Sequence, residues 1–146
     1  MVLDPIERIT DNNIKAGPNY PIIMKFLYTI EGIVKEGNRR GQRLGFPTMN
    51  MAVEQAIPEG VYISQAVIDE TQYNSLTFVG KAKTFNETAY HAETYVLDFD
   101  KDLYGQVITV NLLKKIRENQ KFKSEQELIR QMSEDKKTAD KFFDEL

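Results

Sequence analysis

The sequence predicts a mostly β fold, an antiparallel sandwich or closed barrel, with one helix packed against it at the C-terminus. Three observations carry this. Between Phe26 and Ile116, short apolar runs alternate with period two and are broken by turn residues. No helical stretch separates those runs, so an antiparallel arrangement is favoured. After Ser124 the apolar spacing becomes that of a helix. A closed barrel has the added merit that no edge strand is left unpaired.

The first 25 residues read as a short helical extension. Asp4 can cap it, Pro5 suits the first helical position, and Glu7 stands three residues after Asp4. Ile6 and Ile9 give an apolar edge, and Gly17-Pro18 ends it. Packing on the main domain as a structural extension is expected. The domain proper is then 26–146. Its predicted strands are Phe26 to Val34, Gly60 to Asp69, Leu76 to Thr84, Tyr90 to Phe99 and Gln106 to Ile116. Ser124-Glu125-Gln126-Glu127 is a capping box, with Ser124 as cap and Glu127 reaching back. Leu128, Met132, Ala139, Phe142 and Phe143 form the helix's apolar stripe, expected to cover one side of the barrel.

Composition narrows the function. The chain has 146 residues, 41% hydrophobic and 28% charged, which suits one compact domain with one core. A net charge of −3 gives no basic field to hold nucleic acid or an anionic membrane. Cysteine is absent and His91 is the single histidine, so disulfides, thiol catalysis and Cys- or His-rich metal centres are excluded. No apolar run nears the ~20 residues of a membrane span, and Met1-Val2-Leu3-Asp4 does not open a signal peptide. The terminal Phe-Asp-Glu-Leu lacks the Lys or His of a retention tail. A cytoplasmic protein is expected.

Three constellations can carry chemistry. In the loop from Gly37 to Gly45, glycines at four-residue spacing bracket Arg39, Arg40 and Arg43. Glycines allow backbone N–H groups close to an anion, and arginine adds charge-assisted bonds to phosphate. The Gly-Lys-Ser/Thr ending of a P-loop is missing, and a solvated turn would look the same. Next comes Gly45-Phe46-Pro47-Thr48-Met49-Asn50. On extended chain, Thr48 and Asn50 share a face, so a hydroxyl and an amide carbonyl could each give Mg²⁺ one oxygen. An ordinary turn with Thr and Asn bonding the backbone is the plainer alternative. Third is the strand from Tyr90 to Phe99, where alternation puts Glu93 with Tyr95, Leu97 and Phe99. If that face lines the barrel, burial would raise the basicity of the carboxylate, as a general base requires. In the opposite register Glu93 is a solvated strand residue. His91 shares the face of Glu93 and is read as packing or solvated.

Taken in order, Gly37 to Asn50, Pro58-Glu59-Gly60-Val61-Tyr62, Ala92 to Phe99, Leu103-Tyr104-Gly105, Ile116-Arg117 and Lys121-Phe122 resemble the riboflavin kinase family. The same module forms the C-terminal half of bacterial bifunctional FAD synthetases. The resemblance spans roughly Phe26 to Phe143. It implies a six-stranded antiparallel Greek-key β-barrel with a C-terminal helix. It also implies transfer of the γ-phosphate of Mg-ATP to the ribityl 5′-hydroxyl of riboflavin, giving FMN and ADP. Glu93 matches the catalytic base. Thr48 and Asn50 match the Pro-Thr-x-Asn motif that binds Mg-ATP, with Zn²⁺ or Mn²⁺ as other candidate metals. Gly37, Gly41, Gln42 and Arg43 would cover the phosphates, and Val96, Asp98 and Tyr104 fall where the nucleotide is contacted. Arg117, Gln120 and Phe122 fall on a flap that holds the flavin, where a ring can stack on the isoalloxazine.

Departures from the pattern are visible. Gln42 stands where the family has a basic residue, with Arg43 beside it. Ala82-Lys83-Thr84-Phe85 replaces a Pro-Thr-Phe turn, and Met49 stands where alanine is common. The adenylyl-transfer half of a bifunctional synthetase needs a second domain with paired histidines, which these residues do not supply. A monomer is expected. The rival of another class is a non-catalytic flavin- or nucleotide-binding barrel, free to lose Thr48, Asn50 or Glu93; all three are present.

Overall fold

The computed structural model describes residues 26–35, 45–84, 87–99 and 101–146, without the side chains of 82–84 and 87–89. The predicted N-terminal helix and the glycine-arginine loop with Gly37, Gly41, Gln42 and Arg43 lie outside the described residues. The described elements are β1 (Tyr28–Ile33), β2 (Met49–Ala52), β3 (Gly60–Ile68), β4 (Thr71–Thr84), β5 (Glu87–Val96), β6 (Val107–Arg117) and one helix, α1 (Glu125–Asp144).

All six strands join one antiparallel sheet in the order β1-β6-β3-β4-β5-β2. Its two ends meet where Lys35, just past β1, bridges Asn50 of β2, with the Lys35 amide donating to the Asn50 carbonyl at 2.7 Å. Gln55 Nε2 adds a bond to the Thr29 carbonyl at 2.8 Å. The sheet is therefore a nearly closed barrel. It covers the main-chain donors and acceptors that an open edge would expose.

Alternation along the strands fills the interior. Ile30, Met49, Met51, Tyr62, Val79, Ala92, Val96, Ile108, Val110 and Leu112 make the inner core. Four hydroxyls also point inward: Ser64 bonds Ser75 at 2.7 Å and Thr77 at 2.8 Å, and Thr77 bonds Thr94 at 2.9 Å. A hydroxyl both donates and accepts, so a chain of them can be buried without leaving polar atoms unsatisfied.

A second core lies outside the barrel. Val61, Ile63, Leu76, Leu97 and Leu113 pack with Ala139, and Phe142 and Phe143 flank them from α1. This explains why Gly60 to Ser64 is buried residue after residue. That strand has the interior on one side and the helix on the other.

Several boundaries differ from the sequence expectation. β4 starts at Thr71, ahead of Leu76, because Asp69 and Glu70 (φ 49° and 66°) form a tight two-residue hairpin turn that extends the ladder. β2 is a strand of only four residues, too short for alternation to reveal. β5 ends at Val96, and Asp98 has φ 56°. The chain turns there, so Phe99 leaves the face of Glu93 and packs edge-on against Tyr73 in the inner cluster, ring centres 4.9 Å apart.

Candidate active site

The site begins with β2, whose two faces have opposite tasks. Met49 and Met51 are buried in the barrel, which turns Thr48 and Asn50 outward, both half-buried. Asn50 stands directly opposite Glu93 of β5 in the ladder, and Glu93 stands opposite Phe78 of β4. Residues opposite each other in an antiparallel pair share a face. The row Asn50, Glu93, Phe78 therefore crosses the outside of the barrel.

This corrects one expectation. Glu93 does not point into the barrel. The inward residues of β5 are Ala92, Thr94 and Val96; Glu93 is on the outer face with its side chain 33% exposed. Tyr95 and Leu97 on that face join the core under α1, while Glu93 lies beyond it. Glu93 lines a groove with Glu59, Phe78, Val79, Gly80, Lys81, His91 and Asn119. His91, two residues away on the same face, places Nε2 3.4 Å from Glu93 Oε1.

Asn119 was not anticipated from sequence. It sits in the irregular segment between β6 and α1 and donates Nδ2 to the Val79 carbonyl at 2.9 Å. Gly80 makes that approach feasible, since a Cβ there would stand 2.9 Å from Asn119 Nδ2. No local pattern announces such a contact, which joins residues 40 apart.

A second cavity opens at the barrel end where β2 starts and β5 stops. Val34, Pro47, Thr48, Met49, Val96, Phe99, Lys101, Asp102, Leu103 and Tyr104 line it. Thr48, Val96 and Tyr104 are thus brought together, and exposed Asp98 stands in the turn after Val96. The Leu103-Tyr104-Gly105 turn is fixed by Gly105 at φ 80°, by its amide bond to the Val34 carbonyl, and by Asp102 Oδ1 accepting from the Tyr104 amide. Met49 of β2 lines this cavity with the preceding Thr48, whereas no β2 residue lines the groove of Glu93. Thr48 lines the first, and Asn50 stands opposite the carboxylate that lines the other.

Thr48 and Asn50 could hold a divalent cation. Among the described residues no cluster of three His, Asp or Glu side chains is placed to bind one. Two neutral oxygens suit a hard cation that takes the rest of its shell from phosphates and water.

The three residues expected on the flavin flap behave differently from one another. Arg117 is committed to α1: its Nε and Nη2 donate to the two carboxylate oxygens of Asp135 at 2.9 and 2.7 Å. Asp135 is buried and also accepts from Gln131 Nε2 at 3.0 Å. Gln120 Nε2 reaches Gln131 Oε1 at 3.5 Å, and Phe122 is half-buried. None of the three lines the groove of Glu93.

Comparison with known proteins gives a consistent result. Residues 24–143 match the family model described as Flavokinase, riboflavin kinase. The chain is 36% identical over 119 residues to the trifunctional protein RibF/MnmA of Mycoplasmoides gallisepticum, covering 80% of this chain and 18% of that one. It is 29% identical over 160 aligned positions to the bifunctional riboflavin kinase/FMN adenylyltransferase of Bacillus subtilis, covering 97% and 51%. The enzyme of that description from Haemophilus influenzae is 34% identical, covering 80% and 39%. The chain therefore spans between about a fifth and a half of these relatives. Among solved structures, riboflavin kinase from Trypanosoma brucei superposes with a TM-score of 0.56 at 20% identity, over 80% of this chain and 79% of that one, a likeness of fold. A crystal structure titled macrolide-efflux protein from Streptococcus pneumoniae gives a TM-score of 0.69 at 32% identity, over 76% and 38%. No described helix is long and apolar enough to cross a membrane.

Proposed function

The chain belongs to the riboflavin kinase family, and from that premise we propose that it transfers the γ-phosphate of ATP to the ribityl 5′-hydroxyl of riboflavin. The observation that carries the proposal is the ladder position of Asn50 directly opposite Glu93.

In this reading the nucleotide base occupies the cavity between Val96, Leu103 and Tyr104, and the phosphates run along β2 towards Asn50. Gly37, Gly41, Gln42 and Arg43, outside the described residues, are assigned to the phosphates by the family resemblance alone. The flavin lies in the groove, with its terminal hydroxyl at Glu93. The hydroxyl oxygen forms a bond to the γ-phosphorus as the bond to the β,γ-bridging oxygen breaks. That electron pair leaves with ADP, and the hydroxyl proton passes to the Glu93 carboxylate. A divalent cation held by Thr48 and Asn50 would neutralise phosphate charge; Mg²⁺, Zn²⁺ and Mn²⁺ all suit oxygen donors in this role. Arg117 and Gln120 are tied to α1 through Asp135 and Gln131, and Phe122 would meet only a flavin that extends past the groove. A monomer is taken as the active species. A cytoplasmic location is part of the same reading.

The non-catalytic alternative is not favoured, because Thr48, Asn50 and Glu93 are all kept on one connected face. The test is direct. Incubated with ATP, a divalent metal and riboflavin, the protein should form FMN and ADP in equal amounts by chromatography. Calorimetric binding of riboflavin or FMN with no ATP consumed would support the non-catalytic barrel instead.

A further inference from the structure

We infer that His91 is a positioning residue for this transfer, acting by donating Nε2–H to Glu93 so that the carboxylate is held towards the acceptor hydroxyl. The inference rests on the reading of Glu93 as the base.

The observations are local to two adjacent rows of the ladder. His91 and Glu93 are two residues apart on the outer face of β5, and Nε2 lies 3.4 Å from Oε1. Across the strands, His91 faces Gly80 of β4 and Ala52 of β2. One has no side chain and the other has a methyl group, so neither neighbour pushes the ring away from Glu93. Glu93 itself faces the Phe78 ring and the Asn50 amide. A carboxylate at 33% exposure retains several rotamers in water unless something selects one, and the Nε2 contact, long at 3.4 Å, selects one when it tightens around a bound acceptor. The ring also lines the groove in which the acceptor would lie, together with Glu59 and Lys81 from neighbouring segments. Donation from Nε2 engages Oε1 and leaves Oε2 to take the proton. An imidazole with its proton on Nε2 is required for this, charged or neutral.

The test uses the full chain with ATP, a divalent metal and riboflavin, and compares H91L, H91Q, E93Q and H91L/E93Q. Leucine fills similar space without a donor; glutamine restores an N–H. H91L should lower kcat by about 10-fold or more, leaving the KM for ATP within about twofold and the melting temperature unchanged. H91Q should return kcat to within about threefold of the parent. On the E93Q background H91L should cost nothing further, since its effect runs through the missing carboxylate. Parental kcat in H91L, no rescue by glutamine, or a full additional loss in the double variant would each overturn the inference. E93Q at the parental rate would instead defeat the reading of Glu93 as base, a separate outcome. H91M makes the same donor-free comparison should H91L not fold.

Discussion

Asn50 acts twice at the seam of the barrel. Its carbonyl accepts from the Lys35 amide and closes the sheet, while its side chain shares a face with Glu93. The first role belongs to the main chain, so alanine keeps it. N50A and T48A should therefore melt close to the parent. ATP affinity measured with a divalent metal should fall by about 10-fold, about 1.4 kcal/mol. With the metal chelated, parent and variants should bind ATP alike. Calorimetry with and without chelator checks both halves. At this scale the sequence was informative about identity and weak about direction. The motif picked out Thr48, Asn50 and Glu93. Period-two alternation placed Glu93 with Tyr95 and Leu97, yet could not say which face was inside, because a second core under α1 buries those two neighbours from outside the barrel.

At the scale of elements, α1 is held by more than its apolar stripe. Ser124 caps it by accepting from the Glu127 amide at 3.2 Å, and Glu127 reaches back to the Lys123 amide, one residue earlier than a standard capping box. The stripe has a gap between Met132 and Ala139, and Asp135 fills it, buried against Arg117. A carboxylate at a core-facing helical position demands a partner, and that gap was the legible signal for the ion pair. D135L should destabilise the protein by about 3 to 5 kcal/mol, because Arg117 is left desolvated and unpaired. R117M/D135L should recover much of that loss in urea denaturation, since two apolar groups replace the pair. On β3, Tyr62 is buried and donates its hydroxyl to the Pro58 carbonyl at 2.6 Å. Burial above all, with Tyr28, Tyr90 and Glu118 adding to it, pushes its pKa up to about 12. A raised folded-state pKa means this contribution is full below the ordinary tyrosine value of about 10 and is lost as pH rises towards 12. Denaturation midpoints should therefore drop across that alkaline window in the parent, and drop less in Y62F.

For the whole molecule, the barrel and the final helix follow from patterns that hydrophobic burial imposes along each strand. Strand order and closure do not. They depend on pairings such as Lys35 with Asn50 and Tyr28 with Leu112, between residues that local periodicity cannot relate. Pairing of β2 with β5 brings Thr48 to Val96, and closure adds Val34 at the same end of the barrel, so that these residues line one cavity while Glu93 lines a groove elsewhere on β5. Phosphoryl transfer across that seam is the central claim, and one measurement addresses it most directly. Single-turnover FMN formation by the parent and by E93Q should be compared at saturating ATP, divalent metal and riboflavin. A slowing of about 10²- to 10⁴-fold with ATP affinity unchanged is the predicted result. Equal rates in the two proteins would contradict it.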